Sequence, residues 1–199
     1  QIIDSSAAST TQVLFREILS ANIDIDKNIA NCLMTGLITD TGRFQYSNTD
    51  NEVFEIASKL MLSGAELTSI SDNIYGSIPM NAIKLQSEVL NRIELHEEEE
   101  LVVSYVLQED YLNYNIESSE TDFLIDSIRL VKESSVALLL KEQQDKSFKG
   151  SLRSRNELDV QQIASLFGGG GHKAASGFST NLSIEEIKNK VKNAIKSQV

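Results

Sequence analysis

The chain is poor in the residues that cross-link or stiffen a fold: its 199 residues include one cysteine and one proline. The single Cys32 excludes an internal disulfide, and its place in a predicted apolar helix marks it as a buried structural thiol. No apolar run reaches the roughly 20 residues a membrane helix needs, and the first residues lack the basic-then-apolar pattern of a signal peptide. A soluble, cytoplasmic protein is therefore the expectation. With 41% hydrophobic residues, the length suffices for one large or two small packed domains. The chain opens on Gln1, which is neither methionine nor small enough to be the residue usually left after its removal. An N-terminal portion is expected to be missing.

Positive charge is also scarce, at 18 Lys and Arg against 29 Asp and Glu, a net charge of −11. The deficit is not uniform. Residues 1–140 hold 8 basic and 23 acidic side chains, net −15, whereas residues 141–199 hold 10 and 6, net +4. An anionic ligand finds favourable potential only in the last third. Lys188, Lys190, Lys192 and Lys196 are expected only to solubilise a terminal helix. That leaves Lys146, Lys149, Arg153, Arg155 and Lys173.

There are two histidines. His96 precedes Glu97–Glu100, read as a solvated edge because consecutive helical carboxylates cannot converge on one ion. His172 follows Gly168, Gly169, Gly170 and Gly171 and precedes Lys173. Glycines can turn backbone N–H groups toward an anion with no Cβ in the way, and the imidazole and ammonium add donors at the same place. A flexible linker is the alternative for the tetraglycine alone. The helix-like Val160–Phe167 before it and Ala174–Phe178 after it favour a built turn.

A second informative position is Asp40, in Thr39-Asp40-Thr41-Gly42 at the end of an apolar helix. A lone carboxylate there needs a partner, most simply a cation; an exposed loop aspartate is the alternative.

Helical spacing predicts helices from Ser9 to Ala21, after a Ser9…Gln12 capping box, and from Asp26, whose stripe Ile29, Ala30, Leu33, Met34, Leu37 and Ile38 is buried. Thr49–Glu52 repeats the capping-box pattern before a third helix, and a shorter one covers Leu67–Tyr75. Pro79 opens a long helix through Ile93. Residues 76–100 mark a boundary. Beyond it, Leu101–Leu107 and Ser135–Lys141 read as buried strands, with a short turn or helix around Tyr111–Tyr114 and a helix capped by Asp122 running to Val131 between them. Ser147–Ser154 alternates as a half-exposed strand in which Gly150 marks a bulge or close approach. A helix over Val160–Leu166, the glycine turn, a strand at Ala175–Phe178 and an amphipathic helix over Ser183–Ser197 complete the chain. The fold class is α/β in two domains, the first mostly helical and the second, smaller one built on a mixed sheet.

Three ordered motifs, Gly36–Phe44 around Asp40, Ser151-Leu152-Arg153-Ser154, and Gly168–His172, resemble those of the DHH phosphoesterase family. More narrowly they are similar to its bacterial oligoribonucleases that also act on 3′-phosphoadenosine-5′-phosphate. The resemblance runs the whole length. It implies that residues 1–76 are the C-terminal part of a catalytic domain, 77–100 a helical linker and 101–199 a substrate-binding domain. It implies two divalent ions, usually manganese, with Asp40 as a metal ligand and catalytic residue. Arg153, Ser154, Gly169, Gly170, Gly171 and His172 would hold the substrate, with His172 also serving catalysis. Ala8-Ser9-Thr10 resembles the segment after the family's Asp-His-His, but that tripeptide and the upstream metal motifs are absent, so this chain alone is expected to hold metal weakly or not at all.

The activity implied is hydrolysis of very short RNA or of a nucleotide phosphomonoester by metal-activated water, in a homodimer. A cyclic or linear dinucleotide phosphodiesterase is the rival within the family. A non-catalytic nucleotide- or nucleic-acid-binding module is the rival outside it. The acidic first 140 residues disfavour a long polyanion track.

Overall fold

A computed structural model describes residues 2–4, 6–155 and 157–198, and the chain divides into two units, Gln1–Ser77 and Ile78–Val199. The first is helical: α1 (Thr10–Ser20), α2 (Lys27–Asp40), α3 (Asn51–Leu62) and α4 (Leu67–Tyr75). Its core joins Phe15 to Leu33, Met34, Leu37, Ile38, Val53, Ile56 and Leu60. The starts of α1, α2 and α3 each have a side-chain cap suited to their orphan N–H groups, whereas α4 has none. Ser9 Oγ accepts from Gln12 N–H at 3.0 Å, Asp26 from Ile29 at 2.8 Å and Asp50 from Val53 at 2.9 Å.

Three expectations fail here. Gln12 does not complete a capping box with Ser9, because its Oε1 accepts from Ala8 N–H at 2.7 Å. Glu52 closes no capping box, because its carboxylate is taken by Arg16 (2.7 Å from Nε) and by Gln12 (3.0 Å from Nε2). Cys32 is exposed, not buried. At 100° per residue the stripe through Ala30, Leu33, Met34 and Leu37 turns Cys32 to the far side of α2.

The second unit is a mixed α/β layer structure. In chain order it comprises α5 (Met80–Asn91), β1 (Glu94–His96), β2 (Leu101–Val106), α6 (Gln108–Tyr114), α7 (Leu124–Ile128), β3 (Val136–Glu142), β4 (Phe148–Ser154), α8 (Val160–Ser165), β5 (Gly170–His172), β6 (Ala175–Thr180) and α9 (Ile184–Lys196). The strands form one sheet in the order β1-β2-β3-β4-β6-β5, with β2 and β3 parallel and the other pairs antiparallel. Residues 77–100, read from the sequence as a linker, contain α5, whose Ala82, Leu85 and Val89 enter the core of this unit.

Side chains alternate between the two faces of each strand, so the register sorts them into layers. One face carries Leu101, Val103, Val136, Leu138, Leu140, Phe148, Leu152 and Phe178, covered by Val160 and Ile163 of α8 and Ile187, Val191 and Ile195 of α9. The other face is covered mainly over β2 and β3, where Val102, Val106, Ala137 and Leu139 join the cluster of α5 and of Leu124, Ile125 and Ile128 of α7, which also borders β4.

The helix expected from Asp122 to Val131 is shorter. A 3-10 turn, Ser118–Thr121, runs into α7, and Asp122 does not cap it. Its carboxylate instead receives the ammonium of Lys141 at 2.6 Å. Lys141 is 2% exposed, and a buried charge without a partner is too costly to keep.

The acidic run is likewise not a mere solvated edge, nor are all the terminal lysines mere solubilisers. Glu97–Glu99 form a 3-10 turn, and buried Glu99 pairs with Lys196 at 2.9 Å. Lys188, 5% exposed, pairs with Glu94 at 2.6 Å and Glu185 at 2.5 Å. Snorkelling ammoniums thus fasten α9 to the opposite edge of the sheet.

Candidate functional site

The open half of the second face lies over β4, β6 and β5. Arg153 pairs with Ala175, and Ala175 with His172; one register step along, Ser151 pairs with Gly177, and Gly177 with Gly170. Residues directly paired across a sheet share a face. His172, Gly170, Ala175, Gly177, Arg153, Ser151 and Lys149 therefore project to one side. Their floor is low, since glycine, alanine and serine fill its middle. Adjacent strands lie about 4.8 Å apart, so the His172 and Arg153 backbones stand roughly 10 Å from each other across Ala175. Both long side chains can reach one tetrahedral anion between them.

Local chemistry builds this platform. The N–H groups of Gly168 and Gly169 are spent on the end of α8, donating to Ser165 O and Ala164 O at 3.0 Å each, with Gly168 in the left-handed region at φ 74°. Gly169 is forced by close approach, because an added Cβ would press on Phe178 Cβ at 2.6 Å and Cα at 2.7 Å. Gly171, at φ 144°, would meet Ala175 O at 2.6 Å. Phe167 and Phe178 stack at 4.1 Å beneath, and Ser176 Oγ donates to Val160 O at 2.6 Å, tying β6 to α8. Gly150 lies against the Phe178 ring, the close approach its sequence position suggests.

The glycine run is thus not a simple looped cradle. It is a helix end followed by an edge strand, β5, of which only alternate amide groups face β6. The amides facing away from β6 remain oriented toward solvent.

Of the residues proposed from sequence, Arg153, Gly170 and His172 come together on this face. Ser154 lies on the opposite face by strand alternation, its N–H donating to Ala174 O at 2.9 Å, and Gly171 pairs with Ser176 of that same face. Gly169 shapes the turn beneath. Ser151, Ala175, Gly177 and Lys149 join the face without having been singled out as site residues, although the alternation of 147–154 already placed Lys149 and Ser151 beside Arg153. Arg153 Nη1 donates to Leu152 O at 3.0 Å, and no carboxylate pairs with it among the described residues. Lys173 is different. It meets Glu157 at 2.5 Å, which raises its pKa above the ordinary value and engages its charge.

Asp40 belongs to the first unit, as the exposed last residue of α2. Its carbonyl accepts from Asn48 Nδ2 at 3.1 Å. The turn beyond it is unusual: Gly42, Arg43 and Phe44 all have positive φ, at 55°, 62° and 63°. Thr41, fully buried, locks the turn by donating to Leu37 O at 2.7 Å and accepting from Phe44 N–H at 3.1 Å. Left-handed non-glycine residues cost about 1–2 kcal/mol each, and such strain persists where surrounding bonds over-determine it. A carboxylate at a helix C-terminus also faces the negative end of the helix dipole, a place where a cation is favoured.

A metal centre needs more than one such ligand. Among the described residues no group of three or more His, Cys, Asp and Glu side chains is placed to hold an ion. A two-metal site therefore does not fit the residues this chain supplies. No helix among the described residues is long and apolar enough to cross a membrane.

Comparison with known proteins bears on the family and the fold. The chain is 31% identical over 199 residues to the bifunctional oligoribonuclease and PAP phosphatase NrnA of Thermus thermophilus, covering 100% of this chain and 59% of that protein. It is 27% identical over 198 residues to a probable bifunctional oligoribonuclease and PAP phosphatase NrnA of Streptococcus mutans, covering 98% and 62%. The crystal structure of an exopolyphosphatase-related protein from Bacteroides fragilis matches with a TM-score of 0.91 and 25% identity, over 98% of this chain and 58% of that one. The chain spans about three fifths of the length of the two curated relatives. The DHHA1 domain family matches residues 98–197, the region that holds the platform. The chain belongs to the DHH phosphoesterase family, with a DHHA1 domain as its second unit.

Proposed function

We propose that the protein acts in hydrolysis of short oligoribonucleotides, of 3′-phosphoadenosine-5′-phosphate, or of both, and that the second unit holds the substrate. The observation that carries this is the placement of Arg153 and His172 two strands apart on one open, side-chain-poor face. The guanidinium offers a planar fork to phosphate oxygens and the imidazole a further donor, while the low floor lets a sugar or base lie close to the backbone. Donors fixed by a sheet stabilise charge without reorganising, which is what phosphoryl chemistry asks of a protein. The names of the two curated relatives support this substrate class.

Asp40 is proposed as one ligand of a divalent-metal set, manganese by family resemblance, whose other members lie outside this chain. The helix dipole and the locked turn support that role. The test is a side-by-side assay of a dinucleotide, 3′-phosphoadenosine-5′-phosphate and a cyclic dinucleotide with manganese present, in a form of the protein that carries the rest of the proposed metal set. Release of mononucleotide or phosphate from the first two is expected. Turnover of the cyclic substrate alone would overturn the assignment in favour of a cyclic-dinucleotide phosphodiesterase, and tight binding without turnover of any would make the protein a binding module.

A further inference from the structure

We infer that Lys149 is a second phosphate contact, placed to hold the backbone of a substrate longer than one nucleotide while Arg153 holds the phosphate nearest His172. The inference rests on the reading of the platform as a substrate site. Arg153, Ser151 and Lys149 project from one face of β4 at alternate positions, and each two-residue step advances about 6.6 Å. That step is of the same order as one sugar–phosphate repeat of an extended strand. The row therefore runs from a cation, over a small hydroxyl, to a second cation roughly 13 Å away.

A cation at this position of β4 makes little sense for the fold alone. Lys149 stands directly opposite Lys141 in the β3–β4 register, and like charges in cross-strand pairs destabilise a sheet. Lys141 is compensated by Asp122 at 2.6 Å. Lys149 is exposed, and no ion pair engages it among the described residues. Its other cross-strand neighbour, Ser179, offers no charge. A polyanion laid along β4 from Arg153 would supply the missing partner.

The experiment measures binding of a mononucleotide, a dinucleotide and a trinucleotide, each 5′-phosphorylated, to the 199-residue chain in the absence of divalent ions, where they stay intact. Wild type is compared with Lys149→Gln and Arg153→Gln, with circular dichroism confirming that each variant is folded. Lys149→Gln is expected to leave the mononucleotide Kd unchanged and to weaken the trinucleotide about three- to fivefold. It should also reduce the salt dependence of trinucleotide binding by about 0.7 in the slope of log K against log salt, the loss of one phosphate contact to a single strand. Arg153→Gln is expected to weaken all three ligands. A normal trinucleotide Kd and slope in Lys149→Gln, or equal weakening of all three ligands, overturns the role of Lys149 while Arg153→Gln upholds the platform. Unchanged binding in Arg153→Gln overturns the platform itself.

Discussion

Replacing Gly170 with alanine separates what the glycine run does for the fold from what it does for a ligand. At Gly170 an added Cβ meets nothing within 4 Å, and φ lies outside the left-handed region. The fold should therefore accept alanine, even with a gain of about 0.4–1 kcal/mol from a less flexible unfolded chain. In a unit of this size that is no change, or a rise of up to about 4 °C, in Tm. Register, however, aims the new methyl onto the platform beside Gly177. A ligand lying against the backbone there must move away, at about 1–3 kcal/mol, or roughly five- to 150-fold in Kd. Gly169→Ala is the control with the opposite signature. Its Cβ would press on backbone at Phe178 Cα, 2.7 Å away, and should lower Tm by roughly 4–12 °C. Thermal melts by circular dichroism and titration calorimetry with 3′-phosphoadenosine-5′-phosphate read both effects. A Gly170→Ala protein that binds with the wild-type Kd would refute the placement of the ligand on this face.

Further outcomes follow from the same structure. Asp110, with 6% of its side chain exposed, is pushed up by burial, but hydrogen bonds from Arg92 (2.5 and 2.8 Å) and from Leu107 N–H (2.7 Å) hold its pKa below the ordinary value. A lowered carboxylate pKa contributes stability above the ordinary carboxylate range that is lost as pH falls through the native value. Asp110→Asn should cost about 2–3 kcal/mol at neutral pH in urea unfolding, less than a fully buried pair because Arg92 reaches solvent, and should flatten the acid limb of the stability profile. Leu138→Ala, at a fully buried position, should cost about 2–5 kcal/mol in the same assay. Cys32 should react with a thiol reagent in the native protein, at a rate that denaturant raises only modestly. Asp40→Asn should leave Tm unchanged or raise it by a degree or two, since it removes a negative charge from a helix C-terminus, and, on the proposed metal role, should abolish metal-dependent turnover in a form of the protein that carries the rest of the metal set. Normal turnover there would dismiss Asp40 as a ligand.

What the sequence disclosed and what it concealed have physical reasons. Alternation over Phe148–Ser154 and the unbroken apolar run of Val136–Leu140 were legible because one strand is half open and the other is covered on both faces. The edge strand β5 was not, because Gly170, Gly171 and His172 carry no β-propensity and no apolar period; they pair because β6 and the turn at Gly168 put them there. Arg153 and His172 were visible as chemistry, but their shared face depends on the register between β4, β6 and β5. The same register sends Ser154 to the other side. The exposure of Cys32 was hidden because an apolar neighbourhood in sequence is not one in space. The role of Asp122 was hidden because the demand of the buried Lys141 comes from a strand nineteen residues later.

The attachment of α9 also bears on how the protein is made. Lys188 reaches back 94 residues to Glu94, and Lys196 reaches back 98 to Glu98, while Ile187, Val191 and Ile195 cover Leu101 and Val103. The second unit therefore cannot seal its sheet until almost all of it has left the ribosome. At about 5–20 residues per second, β2 and β3 wait several seconds with one face bare. Truncation before Ser183 should thus leave a chaperone-dependent, aggregation-prone nascent chain and not a smaller folded domain, whereas the helical first unit, with its contacts local in sequence, can fold as it emerges.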